Sequence, residues 1–141
     1  RGFCEALKAG NAEEVERRFT SYLSKTISIR DTFVKKPTKE NFYHGILLGI
    51  LGFKEGWYVK SNKETGDGYS DILIEIEDED IGIIIEVKYA ENADYASGCE
   101  AALKQIEQEG YVAQLKADGI HTILKYGIAC YKKGCRVVVE K

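Results

Sequence analysis

The sequence lacks an excess of positive charge. Its 141 residues carry 20 Lys and Arg against 23 Asp and Glu, which gives a formal net charge of -3. A protein that holds nucleic acid by bulk charge has a strongly basic surface, so this simple class of binder is excluded. With 44% apolar and 30% charged residues, the composition is globular, and the length fits a single domain over 1–141. Positive charge is concentrated only in local patches, formed by Lys35, Lys36 and Lys39 and by Lys132, Lys133 and Arg136.

Long apolar runs are also missing. The longest, at 45–53 and 81–85, are far shorter than the roughly 18 residues that a membrane-spanning helix requires. The chain begins at Arg1 rather than Met, and its first residues show neither a signal-peptide nor a transit-peptide pattern. These absences predict a domain that contacts no membrane and that was cut from within a longer protein.

The cysteines do not have the paired short spacings of zinc sites, and no histidine lies close to any of them in the sequence. Reduced, structural thiols in a cytoplasmic protein are therefore expected. A disulfide remains open as an alternative at one place, where a hairpin would bring Cys130 opposite Cys135. The four cysteines are Cys4, Cys99, Cys130 and Cys135.

Apolar residues at helical spacing predict helices in three parts of the chain. Asn11, with Glu14 three residues later, predicts a capped helix over 12–24. A second helix with a broad apolar face is predicted from Pro37 to Gly52. Later in the chain, the pattern predicts one long helix, or two helices that are broken at Gly110.

A period-two pattern, which is typical of β-strands, begins at Trp57. The order of predicted elements is αα-βββ-α-ββ, an α/β arrangement without a detectable repeat. The acidic stretch 75–80 is interpreted as a solvated hairpin tip that a nucleic acid would avoid. His121, at a strand start, is expected to be exposed or hydrogen-bonded rather than catalytic. Strands are predicted over 57–62, 71–77, 81–89, 122–131 and 135–140.

Three charged residues are predicted to converge on one face of this sheet. Side chains alternate across a strand, so Glu86 and Lys88 share a face, and Asp71 lies on the same face of the preceding strand. A two-residue turn at Asp78 and Glu79 places Asp71 opposite Glu86, whereas a four-residue turn places it opposite Lys88. Both registers bring two carboxylates and one ammonium group together.

This combination of residue types favours metal-dependent chemistry. Two nearby carboxylates repel each other, and a hard divalent cation such as Mg²⁺ between them relieves that repulsion. A lysine beside a metal-bound water stabilises charge on a phosphate or positions the water, which is the chemistry of phosphodiester hydrolysis. The alternative is a half-exposed sheet, which also shows a polar residue at every second position. Leu73 and Ile84, which lie between the charges, instead predict a covered cleft.

These motifs, in their order and spacing, resemble the PD-(D/E)XK nuclease superfamily. The resemblance rests on Gly66-Asp-Gly-Tyr-Ser-Asp71, on Ile84-Ile-Glu86-Val-Lys88, and on Gln105 and Tyr111. The chain is similar in particular to a bacterial subgroup that lies C-terminal to an AAA-ATPase-like domain. In that subgroup, a helix that resembles Glu40-Asn-Phe-Tyr-His44-Gly-Ile-Leu-Leu-Gly precedes the nuclease core.

The resemblance implies a restriction-endonuclease-like α/β fold with a central mixed β-sheet flanked by α-helices. It also implies that Asp71, Glu86, the carbonyl of Val87 and Glu40 bind Mg²⁺ or Mn²⁺, while Lys88 acts on the water or the phosphate. Gln105 and Tyr111 would contact the active site or the nucleic acid. His44, which shares a helix face with Glu40, and Glu64, in the loop before Asp71, are further candidates.

Two functions from different classes follow. The first is a metal-dependent nuclease that hydrolyses phosphodiester bonds, with DNA favoured over RNA as its substrate. The second is a catalytically silent nuclease fold that binds nucleic acid or a protein partner for an attached ATPase. The second is motivated by the low basic content and by Tyr69, which stands where the subgroup often has an arginine. On either hypothesis, the chain is expected to come from the C-terminal part of a longer protein.

Overall fold

The strands of the described chain form one mixed sheet in the order β1-β2-β3-β4-β5. A computed structural model describes residues 2–26, 36–52, 54–63 and 69–141. Its α-helices are α1 (Gly2–Ala9), α2 (Ala12–Thr26), α3 (Lys36–Leu51), α4 (Tyr95–Glu109) and α5 (Tyr111–Ala117), and a short 3-10 helix spans Glu91–Ala93. Its strands are β1 (Trp57–Lys63), β2 (Tyr69–Ile76), β3 (Ile81–Tyr89), β4 (Thr122–Tyr131) and β5 (Gly134–Glu140).

The sheet is mixed because one pair of neighbouring strands is parallel. β3 pairs with β4 in parallel, whereas the three other neighbouring pairs are antiparallel. A parallel pair cannot be joined by a tight hairpin and needs a long crossover, which α4 and α5 supply. Gly110 separates these two helices with φ of +73°, a left-handed conformation that glycine adopts readily. The predicted α/β fold with a central mixed sheet flanked by helices is confirmed.

Both faces of the sheet are covered. One face packs against α1, α2 and α3, and the strand side chains buried there are mainly β-branched, as expected for a pleated surface. The other face packs against α4 and α5 in a smaller cluster. On β2 and β3, the residues on the first face are Ile72, Ile74, Ile76, Ile83, Ile85 and Val87. The second cluster contains Leu73, Ile84, Ile106, Leu115 and Ile123.

Helix α1 was not predicted, because the sequence pattern indicates no element before residue 12. α1 has 8 residues, a length that is only marginally helical by itself in water. Tertiary contacts stabilise it: the ring of Phe3 lies 6.1 Å from that of Phe19, and the Tyr126 hydroxyl donates a hydrogen bond of 2.7 Å to the Leu7 carbonyl. The helix therefore depends on packing rather than on a local sequence signal.

The other predicted elements are confirmed, with small changes at their ends. Asn11 caps α2, because its side-chain oxygen accepts a hydrogen bond of 3.2 Å from the Glu14 amide. β2 begins at Tyr69 and ends at Ile76, slightly earlier than expected at both ends. The turn 77–80 is exposed, as predicted. His121 is also exposed and contacts Asp80 through both its amide and its ring.

The structure also bears on the expected state of the cysteines and on the expected lack of a membrane-spanning helix. All four cysteines lie in the described part of the chain, and each is a buried free thiol. Cys130 does pair with Cys135 across β4 and β5, as the hairpin alternative required, but the two form no disulfide. Among the described helices, none is both long enough and apolar enough to cross a membrane.

Candidate active site

Asp71 and Glu86 lie directly opposite each other on β2 and β3. Of the two predicted registers, this is the one in which Asp71 faces Glu86 and not Lys88. Regular pairing of the two strands ends at Ile76 and Ile81, before the exposed turn. Both carboxylates have no exposed surface. The alternation of each strand directs the neighbouring isoleucines into the large core, so the two acids are left on the face that α4 and α5 cover.

Tyr111 supplies a hydrogen bond to the first of these carboxylates. As the first residue of α5, it donates from its hydroxyl to Oδ2 of Asp71 over 2.5 Å. Burial, together with this hydrogen bond, raises the pKa of the Tyr111 phenol above its ordinary value, so the hydroxyl keeps its proton and remains a donor. The structure thus brings Tyr111 to Asp71, although the two residues are 40 positions apart in the sequence.

Lys88 connects the second carboxylate to α4. Its Nζ lies 3.6 Å from Oε2 of Glu86, two residues earlier on the same strand. The same ammonium group donates a hydrogen bond to Oε1 of Gln105 on α4. The Lys88 side chain is 17% exposed, whereas that of Glu86 is fully buried. Lys88 therefore reaches solvent, whereas the carboxylate of Glu86 does not.

The cover over the site is apolar, as Leu73 and Ile84 predicted. Both residues are buried between the charged positions and pack with Ile106 of α4 and Leu115 of α5. A buried charged pair is tolerated only when charges and hydrogen bonds compensate its desolvation. Lys88 and Tyr111 supply such partners here. The predicted apolar cover is confirmed, and the description as an ordinary half-exposed sheet does not fit.

The donor chemistry of this site fits a hard divalent cation. The described residues contain no group of three or more His, Cys, Asp and Glu side chains arranged to hold a metal ion by themselves. The site instead offers two carboxylates, and Mg²⁺ commonly uses one or two carboxylates together with waters and substrate phosphates. Val87 lies between Glu86 and Lys88 on β3, so its backbone carbonyl is the candidate for a further oxygen ligand. Its side chain is buried in the large core.

Glu40 lies at the end of the same strand. Its Oε2 accepts a hydrogen bond of 3.0 Å from the amide of Tyr89, the residue after Lys88. It does not form a three-carboxylate group with Asp71 and Glu86. Glu40 thus joins α3 to the strand that carries the site, while its role as a metal ligand stays a prediction.

The two remaining candidates are placed differently. His44 is buried, and its Nε2 lies 2.7 Å from Oγ of Ser61 on β1. Ser61 pairs with Ile72, so this contact is on the face of the sheet opposite to Asp71. Glu64 lies outside the described residues. The roles of His44 and Glu64 stay predictions.

Tyr89 is a residue of this region that the sequence analysis did not single out. Its amide bonds to Glu40, and its hydroxyl accepts a hydrogen bond of 3.3 Å from Nζ of Lys39. The only signal in the sequence was its position directly after Lys88. Nothing local indicated that two residues of a distant helix would meet it there.

Comparison with known proteins is consistent with the geometry. The family model of the PD-(D/E)XK nuclease superfamily matches residues 38–140, which is more than half of the chain and includes every residue of the candidate site. No curated protein and no solved structure matches significantly.

Proposed function

The chain belongs to the PD-(D/E)XK nuclease superfamily, and from this premise we propose that it is a nuclease that requires Mg²⁺ or Mn²⁺ and that cleaves DNA. Nuclease activity in general follows from the family. The metal requirement and the preference for DNA over RNA are the finer parts of the proposal.

One observation carries the proposal: five side chains from four elements form a single site. Tyr111 bonds Asp71, Asp71 pairs with Glu86 across the sheet, and Glu86 lies beside Lys88, which bonds Gln105. The separate motifs are short, and each has an ordinary structural explanation. Their convergence in a covered cleft supports a shared chemical task.

Asp71 and Glu86 would hold the cation, with the Val87 carbonyl as a further ligand. When bound, a divalent ion would neutralise phosphate charge and lower the pKa of water. Lys88, which Gln105 orients, would place a positive charge beside the scissile phosphate and stabilise the negative charge that develops there. Tyr111 would hold the Asp71 carboxylate in one orientation, as groups behind metal ligands commonly do.

The cover of the site would help this chemistry. Leu73 and Ile84, with the helix residues packed on them, keep bulk water away from the carboxylates. Electrostatic interactions are stronger in such a low-dielectric setting than in water. A partly exposed Lys88 would leave one route by which a phosphate meets the buried acids.

The catalytically silent alternative is not favoured, since the acids, the lysine and their supporting groups are all in place. Two other parts of the prediction remain proposals. One is that residues 1–141 form a single domain from the C-terminal part of a longer protein. The other is attachment to an AAA-ATPase-like module, which rests only on the resemblance of the segment from Glu40 to Gly49.

A cleavage assay tests the proposed function. The purified chain is incubated with labelled single-stranded DNA, duplex DNA and RNA, with Mg²⁺, Mn²⁺ or a chelator. We expect cleavage only with metal, with DNA cut faster than RNA, and its loss in Asp71→Asn and Lys88→Ala. Cleavage that persists in these variants would assign the activity to another site or to a contaminant.

The matched control is Glu75→Gln. Glu75 lies on β2, on the same face as Asp71, and pairs with Gly82. Along the strand it is about 13 Å from Asp71. Its substitution removes a carboxylate from the same strand without touching the proposed ligands, so activity should stay close to that of the unmodified chain. Thermal unfolding of every variant separates loss of chemistry from loss of fold.

A further inference from the structure

Three cations near the active site are held over tyrosine rings. Nζ of Lys39 lies 4.4 Å from the ring centroid of Tyr89, and Nζ of Lys132 lies 5.3 Å from that of Tyr131. These distances are within the range of favourable cation–π contacts. The third contact joins Arg136 to Tyr95, with the guanidinium carbon 5.7 Å from the ring centroid.

The three contacts are linked into one surface, which we call the cation track. The rings of Tyr89 and Tyr131 are 5.7 Å apart, which connects Lys39 to Lys132. The hairpin turn between β4 and β5 connects Lys132 to Arg136. This turn is anchored, because the Tyr43 hydroxyl donates a hydrogen bond of 2.7 Å to the Lys132 carbonyl. The track therefore consists of Lys39, Lys132 and Arg136, with Tyr89, Tyr131 and Tyr95 beneath them.

Acids lie close to the cation track but bind backbone amides there: Glu40 accepts a hydrogen bond from the Tyr89 amide, and Glu16 accepts one from the Val137 amide. Within the described ranges, none of the three forms an ion pair, although lysines and arginines elsewhere on the surface do. Glu91 and Asp94 lie at the same end of the sheet, but Asp94 caps α4 by accepting a hydrogen bond from the Ser97 amide. The rings hold the positive groups in place without cancelling their charge.

The track is close to the active site. Lys88 pairs with Ala129, which in turn pairs with Arg136, so one row across three strands joins the two cations. At the usual strand spacing, their backbones are about 10 Å apart. Tyr89, at the other part of the track, follows Lys88 on β3, and its ring packs on the opposite face of the sheet, beside α3. The first turn of α4 covers Ala129, between Lys88 and Arg136, because a Cβ on Gly98 would be 2.8 Å from the Ala129 Cβ. A bound strand would therefore pass along the end of the sheet and not over this row. The track thus follows the end of the sheet beside the cleft.

The opposite end of the sheet is acidic. The exposed turn 77–80 contains four consecutive carboxylates, and the strand from Ile76 to Asp71 separates it from the site by about 17 Å. A polyanion is repelled at that end and attracted at the other. Although Lys8 pairs with Glu79, the turn contains four carboxylates in succession, whereas the track presents three cations.

We propose that the cation track binds the phosphate backbone of a nucleic acid strand and guides it to the cleft beside Lys88. This inference rests on the proposed function for its occupant and adds the path that the strand takes. Tyrosine rings that hold cations also offer edges and faces against which bases of a flexible strand stack. The favoured occupant is therefore single-stranded DNA.

Binding without cleavage tests this proposal. Fluorescence anisotropy with a labelled single-stranded oligodeoxynucleotide is measured in chelator over a series of salt concentrations. The variant Lys132→Gln/Arg136→Gln should bind more weakly, and its plot of log K against log salt should be shallower by about 1.4, because each contact to a single strand contributes about 0.7. Arg136→Lys, with Lys132 intact, keeps both charges and should keep most of the slope of the unmodified chain.

Lys116→Gln, which removes one positive charge, is the control, and its effect is compared with that of the double variant per charge removed. Lys116 is exposed on α5, next to Leu115, whose Cδ1 would lie 3.0 Å from a Cβ on Gly82 near the acidic end. It should leave the slope unchanged. An equal effect of Lys116→Gln, an unchanged slope in the double variant, or no binding by the unmodified chain would overturn the track. Cleavage is measured separately. If binding depends on the track but the unmodified chain cleaves nothing, the nuclease proposal is refuted and the track is supported. If the chain cleaves DNA but the double variant binds as well as the unmodified chain, the track is refuted and the nuclease proposal is supported.

Discussion

The hydroxyl of Tyr111 donates a hydrogen bond of 2.5 Å to Oδ2 of Asp71. One end of this bond is on the first residue of α5, and the other is on a buried strand. Burial and the hydrogen bond raise the pKa of the phenol, so it donates throughout the neutral pH range. The contact holds the carboxylate that we propose as a metal ligand.

Removing this donor is expected to weaken the site without unfolding the chain. In Tyr111→Phe, Asp71 loses the group that orients it, and we expect metal affinity or cleavage rate to fall by about 10–100-fold. Calorimetric titration with Mn²⁺ and initial cleavage rates measure the two effects. Tyr58→Phe is the control, because the Tyr58 hydroxyl also bonds a carboxylate, Oε1 of Glu77 at 2.9 Å, but at the exposed turn. An equal loss in both variants would contradict the assignment.

Gln105 is expected to act through Lys88. Its Oε1 accepts a hydrogen bond from the Lys88 ammonium, and hydrogen bonds to charged groups contribute about 1.5–3 kcal/mol. Gln105→Ala should therefore slow cleavage by about tenfold or more, with kcat affected more than KM. Gln105→Glu keeps an acceptor and should retain more of the rate. Gln108→Ala, an exposed glutamine of the same helix, should have no effect; if it matches Gln105→Ala, the loss reflects helix stability alone.

Two glycines of helices should respond in opposite directions to the same substitution. A Cβ on Gly98 of α4 would lie 2.8 Å from the Ala129 Cβ, whereas one on Gly45 of α3 would have no neighbour within 4 Å. Gly45→Ala should stabilise the fold by about 0.4–1 kcal/mol. Gly98→Ala gains the same helix propensity but overpacks the contact between α4 and the sheet.

The difference between these two variants should be about 1–3 kcal/mol in the free energy of unfolding, which is the usual cost of overpacking. Urea denaturation of both proteins measures it. Because α4 also carries Gln105, Gly98→Ala should reduce cleavage more than Gly45→Ala does. Equal stabilities for the two would show that α4 moves away from β4 without cost.

The cysteines should be unreactive in the folded chain. Burial raises the pKa of the Cys135 thiol to about 12 and raises that of Cys130 well above its ordinary value. The thiolate is the reactive form, so at pH 8 the fraction available for attack is very small. We expect almost no reaction with a chromogenic disulfide reagent in the native state and four thiols per chain after denaturation. Rapid native reaction would show that the hairpin opens, and fewer than four thiols after denaturation would show a disulfide.

The face on which the charged residues lie could be predicted because alternation is a local property. Successive side chains of a strand point to opposite sides, so the isoleucines that enter the core leave Asp71, Glu86 and Lys88 on the other side. Leu73 and Ile84 predicted the cover for the same reason. Helix α1 was missed because its stability comes from packing against α2 and β4 rather than from its own residues.

The sequence by itself determined the types of the elements after α1, the shared face of the three charged residues and the motif order that places the chain in its superfamily. Only the tertiary structure decided that Asp71 pairs with Glu86, that β3 lies parallel to β4, and that Tyr111 and Gln105 reach the acids and the lysine. The physical reason is the range of the forces involved. Strand alternation and helix spacing follow from covalent geometry within a few residues, whereas register and helix docking minimise the free energy of contacts between distant segments.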